Sequence, residues 1–193
     1  MNSLLLASSS PRRSDFLKQC HFNFSTFSSD VDETIETNQT LEEAVCQLAL
    51  RKATYAADLY ADHVVLGADT IVSCDGIHLG KPQTKEDARA MLTALSGNTH
   101  FVSTGVAIVH KQKKVVFSET TRVTMTEITE EQLDAYLQTD EPFDKAGGYG
   151  IQSLGAMFVS HINGDFYTVA GLPLARTVKE LASFHIYPQI NPN

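Results

Sequence analysis

Val64 to Val72 reads Val-Val-Leu-Gly-Ala-Asp-Thr-Ile-Val, a run that is almost wholly apolar. Apolar residues without polar alternation predict a strand covered on both faces, central in a sheet. Asp69 is out of place in it. Aspartate is depleted in strands, and an unpaired buried carboxylate is costly. Either Asp69 caps a turn at the end of the strand, or it has a cation partner. Ile71 and Val72 carry the strand pattern past it, which favours the cation and a functional role.

A second informative stretch is Leu4-Leu5-Leu6-Ala7-Ser8-Ser9-Ser10-Pro11-Arg12-Arg13. A strand-type run stops at serines, and a helical pattern follows. Ser10 is placed as an N-cap, and Pro11 as the first helical residue, where its missing N–H costs nothing. Backbone N–H groups at the positive end of a helix, with hydroxyls and two guanidinium groups beside them, have the chemistry of a phosphate pocket. Capping alone explains Ser10 and Pro11. It does not explain paired arginines in a first turn, where positive charge opposes the dipole.

The remaining elements follow from periodicity and punctuation. A strand over about 3–7, a helix over about 11–20 and a strand through Phe22, Phe24 and Phe27 give a β-α-β start. A polar loop over about 28–39 carries Asp30, Asp32, Glu33 and Glu36. Thr40 and Glu43 form a capping-box signature. The helix behind it places Leu41, Ala44, Val45, Leu48, Ala49, Ala53 and Ala56 at helical spacing, with Lys52 inside that stripe. A lysine there either snorkels outward or meets an anion. Asp75-Gly76 predicts a hairpin turn. Thr84 opens a helix over about 85–95, closed by Gly97. Alternating stretches 99–109 and 115–127, joined by the basic Lys111–Lys114, predict a long hairpin with a solvated tip. Thr129 and Gln132 open a helix to about 139. Gly147, Gly148 and Gly150, flanked by Asp144 and Lys145, let backbone approach a ligand closely. Residues 157–162 and 165–169 around Asn163-Gly164 predict a second hairpin. A last helix spans about 173–184, before a frayed tail with Pro188 and Pro192.

Composition narrows the class. With 193 residues, 42% hydrophobic and 20% charged, the chain is expected to form one globular domain with a sizeable core. The net charge of −8 disfavours nucleic-acid binding, so a polyanionic ligand would need a local positive pocket. No signal peptide and no bilayer-spanning run is expected. Cys20, Cys46 and Cys74 have no metal-ligand spacing, and their odd number points to a reducing cytoplasm without a disulfide framework.

Taken together, eight segments resemble the Maf-family nucleoside triphosphate pyrophosphatases. They are Leu-Ala-Ser-Ser-Ser-Pro-Arg-Arg (6–13), Val-Asp-Glu (31–33), Arg-Lys-Ala (51–53), Leu-Gly-Ala-Asp-Thr-Ile-Val (66–72), Gly-Lys-Pro (80–82), Leu-Ser-Gly (95–97), Asp-Lys-Ala-Gly-Gly-Tyr-Gly-Ile-Gln (144–152) and Val-Ala-Gly-Leu-Pro (169–173). The resemblance implies an α/β fold of the inosine-triphosphatase type. That fold is a mixed twisted sheet with flanking helices, in two lobes of one domain around a central cleft. It implies cleavage of a nucleoside triphosphate to the monophosphate and pyrophosphate with Mg²⁺ or Mn²⁺, by a cytoplasmic homodimer that binds no nucleic acid and no membrane. Arg12, Thr70 and Gln152 resemble the dTTP/UTP branch. The sister branch, acting on 7-methyl-GTP, has tryptophan, glutamine and glutamate at those positions. The resemblance assigns Ser8, Ser9, Ser10, Arg12, Arg13 and Lys145 to phosphate binding. It makes Asp69 the proton acceptor; Glu33 and Asp69 are the candidate metal ligands, whether Asp69 acts as base, ligand or both stays open, and Lys52 and Lys81 are the candidates for charge neutralisation during catalysis. Two other classes remain open at this point: a nucleotide-binding regulator of septum formation without turnover, and a general phosphatase.

Overall fold

The structure is a computed structural model and describes residues 3–28, 31–35 and 39–190. Asp30 and Glu36 of the acidic loop, and Pro192 of the tail, lie outside the described residues. Strand β1 (Ser3–Ala7), helix α1 (Pro11–Gln19) and strand β2 (Phe24–Phe27) make the β-α-β start, with β1 and β2 parallel from Leu4↔Phe24 to Ala7↔Phe27. Helix α2 (Leu41–Leu59) begins at the expected capping box. Glu43 N–H donates to Thr40 Oγ1 at 3.2 Å, and Thr40 N–H donates to the Glu43 carboxylate at 2.9 Å. Strand β3 (His63–Cys74) runs parallel to β1, from Ser3↔His63 to Ala7↔Gly67. As its apolar run predicts, it is an inner strand with Val64–Ala68 and Ile71–Cys74 buried.

Strand β4 (Ile77–Leu79) turns back on β3 through Asp75 and Gly76, at φ +49° and +77°. Helix α3 (Lys85–Leu95), strand β5 (Thr99–His110), strand β6 (Lys113–Met125) and helix α4 (Glu130–Tyr136) follow. Three short 3-10 turns then occupy much of 141–158, before strand β7 (Val159–Asn163), helix α5 (Phe166–Ala170) and helix α6 (Leu174–Ala182). The seven strands are ordered β2-β1-β3-β5-β6-β7, with β4 on β3. Parallel β1–β2 and β1–β3 pairs and antiparallel β3–β4 and β6–β7 pairs make this a mixed α/β fold. Among the described residues, no helix is long and apolar enough to cross a membrane, and Cys20, Cys46 and Cys74 are free thiols.

Two local expectations are corrected. Residues 165–169 do not return as a strand. The Asp165 carboxylate accepts from Tyr167 N–H at 3.2 Å and from the N–H and hydroxyl of Thr168 at 2.9 and 2.8 Å. That cap starts α5 and overrides the β propensity of Phe166, Tyr167 and Val169. Helix α4 stops early because the chain turns under Thr139, whose hydroxyl donates to Tyr136 O at 2.7 Å. The tip after β5 is solvated as expected, with Lys111 to Lys114 exposed; Lys113 begins β6, donates to Ser183 O and lies 4.3 Å over the Phe184 ring.

The chain divides into two compact units, with boundaries inside β3 (Asp69/Thr70), β5 (Ser103/Thr104) and β6 (Glu119/Thr120). The first contains residues up to Asp69, 104–119 and those from Gly171; the second contains 70–103 and 120–170. In the first unit, Ala49, Ala53 and Ala56 of α2 pack on Leu5, Val65 and Ala107. Small residues let helix and sheet approach closely. A Cβ on Gly67 would lie 2.6 Å from Ala49 O and 2.8 Å from Ala53 N, and one on Gly105 only 2.2 Å from Val45 O. In the second unit, Leu92, Val102, Val123, Leu133, Tyr136 and Phe158 form the centre of a separate core.

Because the atoms facing Gly67 are helix backbone, Gly67→Ala has to push α2 away from β3. We expect a loss of about 1–3 kcal/mol in urea unfolding. Gly80→Ala, where an added Cβ meets nothing within 4 Å, is the control and should stay within about 0.5 kcal/mol of the parent.

Candidate active site

The first unit brings together the charged residues of three separate sequence segments. Lys52 lies on the apolar stripe of α2, and its close packing against β3 prevents it from snorkelling away. Its Nζ is 2.5 Å from Asp69 Oδ1 and 2.7 Å from Glu33 Oε1. The side chains of Lys52 and Asp69 are 11% and 13% exposed, against 58% for Glu33. The Lys52–Asp69 pair is therefore the strongly felt one, while water screens the Glu33 contact. Asp69 thus has the cation partner that its place in β3 called for.

Glu33 reaches Lys52 from a loop that is held on both sides of it. Arg51, the neighbour of Lys52 in α2, donates to Asp32 O at 3.2 Å and Thr34 O at 2.8 Å. Asp32 tightens the same loop by accepting from Thr34 N–H at 2.9 Å and from the Thr34 hydroxyl at 2.6 Å. These donors, the hydroxyl first, hold the Asp32 carboxyl below the usual carboxylate range.

Arg13, on the first turn of α1, is buried. Its Nε donates to Gly171 O at 2.7 Å and its Nη1 donates to Ser8 Oγ at 2.9 Å. Burial lowers its pKa, Asp69 opposes that fall, and the like charge of Arg12 adds to it. Ser10 occupies the N-cap position, but its side chain makes no capping bond. Instead Ser10 N–H donates to Ser8 Oγ at 3.2 Å. Ser8 is therefore the hydroxyl that organises this turn, whereas the order of residues pointed to Ser10. Ser9 is exposed, and Ser10 and Arg12 are half-buried.

Lys81, Lys145, Thr70 and Gln152 belong to the second unit. Thr70 is half-buried, and Lys81 and Gln152 are exposed. The Gly80-Lys81-Pro82 turn and the glycine-rich segment meet where Gly147 N–H donates to Gly80 O at 3.0 Å. Gly147 needs its left-handed φ of +71° to do so. Lys145 Nζ is 2.5 Å from Asp144 Oδ1 and donates to Glu141 O at 3.1 Å. Beneath them Tyr149 O–H pairs with Nε2 of the fully buried His100 at 2.7 Å. His100 Nδ1 is buried without a hydrogen-bond partner among the described residues. Burial lowers the pKa of His100 to about 4 and raises that of Tyr149.

Sequence reasoning missed Gly171, His100 and Glu141. Only Gly171 stood in a recognisable segment; the other two have no local pattern. Among the described residues, no three His, Cys, Asp or Glu side chains cluster to hold a metal by themselves. Asp69 and Glu33 nevertheless converge as two hard oxygen donors on one cation, the Lys52 ammonium. Two hard oxygen donors of this kind would suit a divalent cation.

Residues 3–184 match the family model described as Maf-like protein. The chain is 57% identical over 190 residues to the dTTP/UTP pyrophosphatase of Shouchella clausii, covering 98% of this chain and all of that one. It is 50% identical over 186 residues to the proteins of the same name from Bacillus cereus and Bacillus anthracis, covering 96% of this chain and 97% of each. The solved structure of the Staphylococcus aureus Ham1 protein aligns with 64% of this chain and 72% of its own, at 15% identity and a TM-score of 0.48.

His100 yields a pH prediction. Its folded pKa lies below the unfolded 6.5, so its stability contribution is intact above pH 6.5 and is lost as pH falls towards about 4. We expect the stability difference between the parent and His100→Gln to shrink by about 2–3 kcal/mol across that window. Urea melts at successive pH values measure it, and a constant difference would exclude His100 as the titrating group.

Proposed function

The chain belongs to the Maf family, and on that premise we propose that it hydrolyses dTTP and UTP to the nucleoside monophosphate and pyrophosphate. The observation that carries the reading is the Lys52 ammonium held between Asp69 and Glu33. Near-full-length relatives that bear the name dTTP/UTP pyrophosphatase support the same activity. We read the chain as one Maf-like domain that works as a cytoplasmic homodimer.

Splitting the bond between the α-phosphorus and its bridging oxygen requires neutralised phosphate, an aimed water and a stabilised leaving group. Asp69 accepts the proton of the attacking water. Its side chain is 13% exposed and lies 2.5 Å from the Lys52 ammonium. Arg13, oriented by Ser8 and Gly171, binds phosphate oxygens together with Arg12, Lys145 and the hydroxyls of Ser8, Ser9 and Ser10. Lys52 and Lys81 offset charge as it builds on the transition state and on the pyrophosphate. Glu33 and Asp69 would hold Mg²⁺ or Mn²⁺, which would supply neutralisation of phosphate charge. Gln152 reads the base with Thr70 and Arg12, because a neutral amide both donates and accepts, as the mixed edge of thymine or uracil requires.

Pyrophosphate release from dTTP tests the reading directly. EDTA should abolish it and added Mg²⁺ or Mn²⁺ restore it. Asp69→Asn should lose at least about 100-fold in turnover while melting close to the parent. Orthophosphate release would indicate a general phosphatase, and nucleotide binding without any release a regulator.

Base reading is tested by Gln152→Glu. It should weaken use of dTTP and UTP relative to other nucleoside triphosphates by about tenfold, as for a mispaired hydrogen-bonding edge. An unchanged ranking across a substrate panel would remove Gln152 from base selection.

A further inference from the structure

We infer that Glu141 is the positioning residue of the Gln152 turn, holding the base-reading amide in place from outside the segment that carries it. The inference rests on the proposal that Gln152 reads the base. Glu141 stands just before the recognised Asp-Lys-Ala-Gly-Gly-Tyr-Gly-Ile-Gln segment and is not part of it.

Three donors from the residues immediately after Gln152 converge on its carboxylate. The Ser153 hydroxyl donates to Oε1 at 2.7 Å, Gly155 N–H to Oε1 at 2.8 Å and Leu154 N–H to Oε2 at 2.9 Å. Tyr136 O–H, from the end of α4, lies 3.1 Å from Oε1 and 3.2 Å from Gly148 O, so its proton ties the carboxylate to the glycine-rich backbone. Glu141 thereby caps the 3-10 turn Leu154–Phe158, whose own N-cap residue, Ser153, makes no side-chain cap. Hydrogen bonds to an ionised acceptor are the strong kind. Here they replace the ladder that a strand or helix would supply, because Gln152 itself sits in neither.

The packing leaves the turn little room. A Cβ on Gly155 would stand 2.8 Å from the backbone N of Gly150 and 3.0 Å from the Tyr136 hydroxyl. Lys145 Nζ donates to the carbonyl of Glu141. One residue thus touches the segment before Gln152 through its backbone and the segment after it through its side chain. Burial works to raise the Glu141 pKa, but the donors of Gly155, Ser153 and Leu154 outweigh it, and the net shift is downward. The carboxylate is therefore charged, as an acceptor of several donors must be.

The test is steady-state kinetics of full-length Glu141→Gln with dTTP and dGTP, beside Gln152→Ala and the double variant. In Glu141→Gln, KM for dTTP should rise about tenfold, the effect of disturbing a charged hydrogen-bond acceptor. Its kcat should stay within about threefold of the parent, and the preference for dTTP over dGTP should shrink about tenfold. The double variant should be no worse than Gln152→Ala, since Glu141 acts through Gln152. Amide hydrogen exchange at Leu154 and Gly155 should quicken. If Glu141→Gln fails to fold, Ser153→Ala removes a single donor and should move KM and preference in the same direction, by about threefold. A fall in kcat at constant KM, an unchanged preference or additive losses would overturn the inference. Loss of preference in Gln152→Ala but not in Glu141→Gln rejects Glu141 alone; an intact preference in Gln152→Ala rejects the base reading and this inference together.

Discussion

The first unit depends on how closely helix α2 lies against the sheet. Gly67 and Gly105 present hydrogen where any other residue would drive a Cβ into the helix backbone. The facing helix residues are mostly alanine, so the two surfaces meet with little side chain between them. One consequence is chemical. A lysine on the buried stripe of α2 cannot swing to solvent, and two residues beyond Gly67 in β3 the chain offers it Asp69. Helix-to-strand distance, set by missing side-chain atoms, thereby becomes a short ion pair.

That ion pair organises the electrostatics around it. A buried ammonium opposite a single carboxylate would be a structural pair and nothing more. Glu33 changes its character, because a second, half-exposed carboxylate joins the same cation from a loop that Arg51 clamps. Arg13, held by Gly171 and Ser8, adds a second buried cation to the unit.

The second unit solves its positioning problem differently. Its glycine-rich segment has no helical or strand ladder, so order comes from discrete contacts. These are Gly147 on Gly80, Tyr149 on His100, and the donors gathered by Glu141. Left-handed φ angles at Gly147 and Gly148 let the backbone follow that path. A segment held in this way can present exposed side chains such as Gln152 in a defined direction without burying them.

Features whose cause is local were legible in the order of residues. The inner strand β3 followed from an almost wholly apolar run. Helix α2 followed from its stripe and from Thr40 with Glu43. The oddity of Asp69 within a strand and of Lys52 within a stripe marked both residues before any contact was known, because burying a charge demands a partner somewhere. What the linear chain could not reveal was the identity of partners brought close by folding. Glu141 finds its donors twelve to fourteen residues away. Arg13 finds its acceptor 158 residues away. Ser8 supplants Ser10 because Arg13 and Ser10 both turn towards it. Residues 165–169 are a different case: they become a helix because Asp165 caps them from two and three residues away, a local signal that outweighs side chains suited to a strand. Propensity and periodicity are properties of neighbours in sequence, so the chain alone determined most of the strands and helices and which charges must be paired. Hydrogen bonds between remote groups depend on distances that exist only after packing, and those the tertiary structure decided.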